Sequence, residues 1–146
     1  MINDYFKEYT KSYHNMKRAL KKYIDAKSDF HNLTGVKYDD MPKAKGKSLG
    51  FDDIMIRIEE LYDKYILELK KYDDLRDKCI NDINKLDNPI HRAILEYFYL
   101  DFECIKEVAY SLKEYHEKSY SLGYVNELKS NAVCLFEQLI KKENLL

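Results

Sequence analysis

Apolar residues recur every three or four positions through the middle of the chain, with no proline or glycine to interrupt them. The members of this series are Ile54, Ile58, Leu61, Tyr65, Leu69, Tyr72, Leu75, Cys79, Ile83 and Leu86. This spacing predicts one amphipathic helix of about 35 residues, which is about 50 Å long. Asp52 and Asp53 precede the series and favour the helix start. A helix this long cannot bury its apolar side within a small domain unless another long helix lies against it.

The first segment of the chain supplies a partner helix. Its apolar and aromatic residues predict a helix from about Asn3 to Asn32: Tyr5, Tyr9, Tyr13, Met16, Leu20, Tyr23 and Phe30. Residues 33–50 hold three of the four glycines and one of the two prolines, which predicts a loop. We therefore expect a long, coiled-coil-like antiparallel hairpin over residues 1–87. Pairing of the second helix within one chain or between two chains stays open, and we expect a homodimer.

Three shorter helices are predicted after the hairpin, in a domain over residues 88–146. Asp87 or Asn88 can cap the first of them, and Pro89 suits its first turn. The next covers about 103–112, and a polar link, "KEYHEKSYSLG", leads to the last, over about 121–142. The last helix is expected to bury Val125, Leu128, Ala132, Leu135 (or Phe136) and Leu139. No segment has a strand pattern, so the predicted fold class is all-α.

Charge and composition limit the classes of function. The net charge of −1 combines a basic first third with an acidic remainder: residues 1–50 carry 11 Lys and Arg against 6 Asp and Glu, and residues 51–100 carry 8 against 12. The first ten residues lack the apolar stretch of a signal peptide, and the most apolar run, "AILEYFYL", is far too short to span a membrane. Three widely spaced cysteines indicate reduced, mostly buried thiols. We expect a cytoplasmic protein without a membrane segment.

Catalytic and metal-binding patterns are missing from the sequence. The four histidines are scattered, and they form no HExxH motif and no cluster with cysteine. No Ser/His/Asp or Cys/His pair can be proposed from the spacing. We therefore predict a protein that is not an enzyme, with no catalytic residues, no metal and no cofactor.

Three pieces of the C-terminal half carry a family resemblance. "LDNPIHRAILEYFYL", "IKEVAYSL" and "YVNELKSNAVCLFEQL" occur in this order. Together they resemble the sigma-70 region-4-like domain of phage late transcription regulators of the ArpU/RinA type. The matching positions are Leu86, Asn88, Pro89, Arg92, Ile94, Leu95, Tyr99, Leu100, Ile105, Glu107, Val108, Ala109, Tyr124, Val125, Leu128, Ala132 and Phe136, with Met41 and Pro42 in the preceding loop. The resemblance implies a helix-turn-helix whose last helix contacts double-stranded DNA.

The candidate DNA contacts form two groups. On the last helix we expect Ser121 to cap the helix, and the base or phosphate contacts to come from Ser121, Tyr124, Asn126, Lys129 and Ser130. Phosphate contacts independent of DNA sequence are expected from Lys17, Arg18, Lys21, Lys22, Lys43, Lys45 and Lys47. The alternative for the helical members of the second group is an ordinary solvated helix face.

Two departures from the family pattern favour a second function. The segment between Ala109 and Val125 is longer than in the family, which suggests an insertion in the turn. Asn126 and Glu127 stand where family members tend to carry Arg or Lys, and a carboxylate is repelled by phosphates. The expected function is a phage or mobile-element transcription regulator that binds DNA. The alternative is a protein-interaction module with the same fold, acting on a phage or host protein as an anti-activator or interference factor.

Overall fold

The computed structural model describes residues 1–35 and 50–143, with the side chains of 32–35 left out. All the regular structure in these two ranges is helical, which confirms the all-α class. The helices are α1 (Ile2–Tyr5), α2 (Lys7–Gly35), α3 (Phe51–Ile83), α4 (Pro89–Leu95) with a π-helical turn (Glu96–Leu100), α5 (Ile105–His116) and α6 (Leu122–Glu143). None of these helices is long and apolar enough to cross a membrane.

The structure divides into two compact units. Unit 1 combines Met1–Lys11 with Asp73–Leu146, and unit 2 is Ser12–Tyr72. The first residues of α2, up to Lys11, and the last residues of α3, from Asp73, therefore belong to the same unit as the C-terminal helices. The predicted domain boundary after residue 87 stays a prediction.

Aromatic side chains connect α2 and α3 within unit 2. Tyr13 contacts Tyr72 with ring centroids 5.8 Å apart, and Tyr23 contacts Tyr62 at 5.2 Å. Further along, the rings of Phe30 and Phe51 are 4.9 Å apart. Because positions that rise along α2 meet positions that fall along α3, these contacts follow the order expected of an antiparallel pair. The loop predicted between the helices lies mostly outside the described residues.

The start of α4 decides between two predicted caps. The Asn88 side-chain oxygen accepts a hydrogen bond from the backbone N–H of Ile90 at 2.9 Å, so Asn88 is the N-cap. Pro89 occupies the first turn, as predicted. The guanidinium of Arg92 donates to the carbonyl oxygen of Leu86 at 2.6 Å and fixes the incoming chain. The capping residue and the proline together explain why a new helix begins here after α3.

The N-terminal residues are tied into unit 1 by tyrosines. The Tyr9 hydroxyl donates to the carbonyl oxygen of Leu100 at 2.7 Å and accepts from Arg76 at 3.0 Å. The other guanidinium nitrogen of Arg76 donates to Asp101 at 2.9 Å. Leu100 ends the π-helical turn, where a carbonyl requires a partner outside the regular helix. The phenol of Tyr9 supplies that partner.

A second tyrosine contact satisfies a buried charge. Tyr5 donates a hydrogen bond to the buried carboxylate of Asp82. The ammonium of Lys85 lies 3.3 Å from the same carboxylate and 2.7 Å from that of Glu143, near the end of α6. A buried carboxylate requires such partners, since desolvation of an unpaired charge is costly. The contacts join α1, the end of α3 and the end of α6.

The segment predicted as a polar link is largely helical. Helix α5 continues four residues beyond Leu112, through His116, whose Nε2 lies 3.0 Å from the Tyr97 hydroxyl. The helix ends at Glu117, which has a left-handed backbone (φ 56°), and Lys118 N–H donates to the Leu112 carbonyl oxygen. The predicted end of this helix at about residue 112 is therefore wrong, because residues 113–116 of the expected polar link belong to α5.

The buried face of α6 is confirmed with two corrections. Val125, Ala132 and Phe136 are buried as predicted, whereas Leu128 and Leu139 are only half-buried. The alternative between Leu135 and Phe136 is decided, since Leu135 is 43% exposed and Phe136 is fully buried. Ile140 completes the face in place of Leu139. The ring of Phe136 packs against Tyr5 and Phe6, so the N-terminal residues determine which side of α6 is covered.

The cysteines correct another expectation. Cys79 is buried, but Cys104 and Cys134 are exposed, so the thiols are not mostly buried. Cys104 precedes the first turn of α5, and Cys134 lies on the outer side of α6, away from Ala132 and Phe136. Burial raises the pKa of the Cys79 thiol to about 11.

We expect Phe136→Ala to lower the free energy of unfolding by about 3–5 kcal/mol, because it removes a buried ring and leaves a cavity. Leu135→Ala is the matched control, with an expected loss below about 1 kcal/mol for a largely exposed side chain. Urea unfolding followed by circular dichroism measures both. Equal losses for the two variants would contradict the assigned face of α6.

We expect a thiol reagent at pH 8 to modify Cys104 and Cys134 rapidly and Cys79 at least roughly a hundredfold more slowly, since only the thiolate reacts. The rate at Cys79 should rise as the pH approaches 11, where its thiolate forms. A Cys104→Ser/Cys134→Ser variant isolates Cys79, and absorbance of the released reagent gives the rate. Fast modification of this variant in the folded state would contradict the burial.

Candidate nucleic-acid interface

The frame of the candidate site is a small core shared by α4, α5 and α6. Its buried members are Ala93, Ile94, Val108, Leu112 and Val125, with half-buried side chains around them. Val108 and Leu112 are one turn apart on α5, and Val125 lies in the first turn of α6. This core fixes the N-terminal half of α6 against α5. The order of α5, a short turn and α6 is the one that a helix-turn-helix requires, and the helix-turn-helix itself stays a prediction.

Ser121 caps α6, as the sequence predicts. Its hydroxyl oxygen accepts a hydrogen bond from the backbone N–H of Tyr124 at 3.2 Å, and its carbonyl oxygen accepts from Val125 N–H at 3.0 Å. The capping hydroxyl is thereby used within the helix. Ser121 is nevertheless exposed, so it stays accessible at the helix N-terminus, where anions are favoured.

The five candidate residues of α6 do not form one continuous surface. Asn126 and Ser130 are exposed and one turn apart, and the Ser130 hydroxyl donates to the Asn126 carbonyl oxygen at 3.1 Å. Tyr124 is also exposed, but a spacing of two residues turns it away from Asn126. The ring of Tyr124 instead meets that of Tyr120 edge-on, with centroids 4.9 Å apart. Asn126 and Ser130 are thus the candidate pair that one ligand can contact together.

Lys129 differs from the other candidates. Its ammonium lies 3.5 Å from the centre of the Phe98 ring, a cation–π contact with the π-helical turn. The side chain is half-buried there, and burial lowers its pKa. The first half of α6 therefore presents Glu127 to solvent, while its lysine is directed inward over an aromatic ring. This arrangement weakens the attraction of the helix for phosphates.

The two units differ in the sign of their net charge. Unit 1, which contains α6, carries 12 Lys and Arg against 16 Asp and Glu, whereas unit 2 carries 13 against 10. The acidic balance of unit 1 disfavours long-range attraction of a polyanion.

The helical phosphate candidates belong to unit 2. Lys17, Arg18, Lys21 and Lys22 are all exposed on α2. They face two sides of the helix: Arg18 and Lys22 line a cleft with Lys64 and Glu68 of α3, whereas Lys17 lies beside the ring of Tyr13 at 5.7 Å. The loop candidates Lys43, Lys45 and Lys47 lie outside the described residues.

Exposed aromatic and apolar side chains on α5 and α6 add to the surface near the candidate site. Tyr110 and Tyr115 are 63% and 72% exposed on α5, and Leu122 is 45% exposed at the start of α6. The exposure of Tyr110 and Leu122 was not expected from the sequence. Within residues 1–35 and 50–143, no group of three or more His, Cys, Asp or Glu side chains is placed to hold a metal ion.

Comparisons with protein-family models, with curated proteins and with solved structures each find no match. The resemblance to the phage late regulators therefore stays a prediction that depends on the C-terminal motifs.

We expect Lys129→Ala to lower the free energy of unfolding by about 0.5–1 kcal/mol, because it removes a cation–π contact and the packing of the lysine stem on Phe98. Lys118→Ala, an exposed lysine in the turn before α6, is the control and should change stability by less than about 0.5 kcal/mol. Thermal unfolding of the three proteins measures the difference. If both variants behaved like the wild type, Lys129 would be available in solution as an ordinary surface cation.

Proposed function

We propose that the chain is a phage or mobile-element transcription regulator that binds double-stranded DNA in the cytoplasm through the N-terminal half of α6. The observation that supports this proposal best is the exposed pair of Asn126 and Ser130 on a helix that is held by a three-helix core. A helix of this diameter fits the DNA major groove, where base edges are distinguishable. The family resemblance motivates the same assignment.

Each polar group on this face has a plausible base or backbone partner. An asparagine amide pairs with the N6 and N7 positions of adenine, and a serine hydroxyl serves either as donor or as acceptor. Glu127 can only accept hydrogen bonds, from the amino group of cytosine or adenine, so it discriminates against guanine and thymine rather than adding affinity. The backbone N–H groups in the first turn of α6, next to Ser121, suit a phosphate at the helix N-terminus.

Affinity for the DNA backbone has to come largely from outside α6. Specific DNA sites need several cationic phosphate contacts, and Lys129 is directed toward Phe98. The exposed cations of α2, together with Lys43, Lys45 and Lys47, are the proposed source. Binding that depends on them should weaken steeply with salt.

A protein-interaction module is the second candidate, and specific observations favour it. Unit 1 is acidic, Glu127 is exposed, and Leu122 and Tyr124 present apolar surface beside it. Exposed tyrosines are enriched in protein–protein interfaces, and an acidic surround disfavours DNA. In this case α6 would hold another phage or host protein, as an anti-activator or interference factor would.

Selection from a random double-stranded DNA library at low salt tests the leading proposal. We expect enrichment of one motif, and we expect Asn126→Ala to weaken binding to that motif about 5- to 150-fold, the range for one lost base contact. Gln138→Ala, an exposed amide further along α6, is the matched control and should bind as the wild type does.

The salt dependence separates the two functions. Charge reversal at Lys21 and Lys22 should lower affinity for all DNA sequences alike and reduce the slope of log affinity against log salt. Two results together would exclude α6 as a DNA-reading helix: no enriched motif, and DNA binding that is unchanged by Asn126→Ala and by the charge reversal at Lys21 and Lys22. The protein-interaction function would then remain.

A further inference from the structure

Among its described side chains, unit 2 buries only Ser12, Met16 and Ala19. Of the described side chains in residues 20–31 and 50–72, none is buried. Two paired helices cover the apolar stripe of each on one side only, so the flanks of both stripes stay open to solvent. A further helical layer against one of those flanks would bury the apolar side chains that lie there.

The two open edges of the α2–α3 pair differ in character. On one edge, Tyr62 and Ile58 of α3 and Tyr23 of α2 line a shallow cleft of about 310 Å³, together with the carboxylates of Glu59 and Asp63. Met55 and Ile66 lie in line with Tyr62 at helical spacing, and Tyr62 and Ile66 are 45% and 40% exposed. We call this the tyrosine edge.

The opposite edge is polar. Its cleft is lined by the charged side chains Arg18, Lys22, Lys64 and Glu68, together with Asn15 and Ala19. Met55, Tyr62 and Ile66 form one exposed apolar line on the tyrosine edge, while Ile56 and Leu67 are exposed elsewhere on α3. Because Tyr23 of α2 lies beside this line, the tyrosine edge is the candidate for a further layer.

Charge is segregated along the helices of unit 2. The acidic half, residues 23–31 with 50–62, carries six Asp and Glu against two Lys and Arg, and all six are exposed: Asp25, Asp29, Asp52, Asp53, Glu59 and Glu60. The basic half, residues 12–22 with 63–72, carries seven Lys and Arg against two Asp and Glu, and all seven are exposed: Lys17, Arg18, Lys21, Lys22, Lys64, Lys70 and Lys71. Of these charges, Glu59 and Lys70 lie in line with Tyr62 and Ile66 on the tyrosine edge, whereas Arg18, Lys22 and Lys64 line the opposite cleft.

We infer that the tyrosine edge packs against the tyrosine edge of a second copy of this chain, with the two α3 helices antiparallel. A two-fold axis midway between Tyr62 and Ile66 places Tyr62 of each copy against Ile66 of the other. The same axis places Glu59 near Lys70 of the second copy, since the two residues lie five and six positions from its centre at residue 64. The homodimer expected from the sequence thereby acquires a surface and a direction.

The charge pattern selects this occupant and this direction. In the antiparallel arrangement Glu59 of each copy lies near Lys70 of the other, so the stripe of α3 along the tyrosine edge complements itself. A parallel pair would place Glu59 against Glu59 and Lys70 against Lys70, and juxtaposed like charges are unfavourable. Apolar contact along the tyrosine edge supplies the attraction, and the charges determine its direction. The inference does not depend on DNA binding by α6.

Sedimentation velocity of the full chain across a micromolar concentration range tests the surface. We expect the wild type to be a dimer and Ile66→Glu to be a monomer throughout, because the substitution places a charge without a partner in the apolar contact. Leu67→Glu is the matched control: Leu67 is 55% exposed and one residue away, but it points off the tyrosine edge, so the dimer should persist. Circular dichroism confirms that both variants keep their helices.

Charge exchange tests the direction. Glu59→Lys and Lys70→Glu should each weaken the dimer roughly 2- to 10-fold, since each replaces two opposed pairs by like charges, and the double variant should restore the wild-type affinity. In a parallel dimer each of these residues would face the same residue of the other copy. Charge exchange would then replace one pair of like charges by another, and the affinity of the dimer would not differ between the variants and the wild type.

Three results would overturn the inference. One is a wild-type protein that sediments as a monomer at every concentration, whether or not its basic half binds DNA. Another is dissociation by Leu67→Glu as well as by Ile66→Glu. The third is a dimer that is indifferent to both single charge exchanges. None of these results depends on whether α6 selects a DNA motif, so this inference and the proposed function can fail separately.

Discussion

The phenol of Tyr9 holds together three stretches of chain that are distant in sequence. It donates to the carbonyl oxygen of Leu100 at the end of the π-helical turn and accepts from Arg76 near the end of α3, which in turn pairs with Asp101. These contacts bring the N-terminal residues onto the C-terminal helices. Phe6 and Tyr5 can then cover the ring of Phe136. The buried face of α6, and hence the direction of its outer face, depends on this connection.

The sequence predicted the helices well, because the information for a helix is local. The spacing of apolar residues along α3, the proline at the start of α4 and the serine that caps α6 act over one or two turns. The failures are all non-local. Leu135 and Phe136 fit the periodicity of α6 equally well, and only the distant Tyr5 and Phe6 favour the second. The continuation of α5 to His116 likewise depends on Tyr97, nineteen residues earlier.

The charge on the candidate site also depends on contacts that are distant in sequence. From the sequence, Lys129 counts as one of few cations on the outer face of α6, yet its ammonium lies over the Phe98 ring and its pKa is lowered by burial. Position along a helix indicates which side chains reach the surface, but the direction of a long, flexible side chain is determined by its neighbours in space. The exposed pair of Asn126 and Ser130 was predictable, whereas the loss of cationic character beside it was not.

The proposed dimer and the proposed DNA contact make compatible demands on unit 2. Both use cations of α2 and α3, which would conflict if the same side chains served both. The two edges separate them: Lys70 lies in line with Ile66 on the tyrosine edge, whereas Arg18, Lys22 and Lys64 line the opposite cleft. Dimerisation through the tyrosine edge therefore leaves the polar edge of each copy open to phosphate. Because α6 contributes little positive charge, a second copy of both the polar edge and α6 is the most direct way for this chain to gain affinity for DNA.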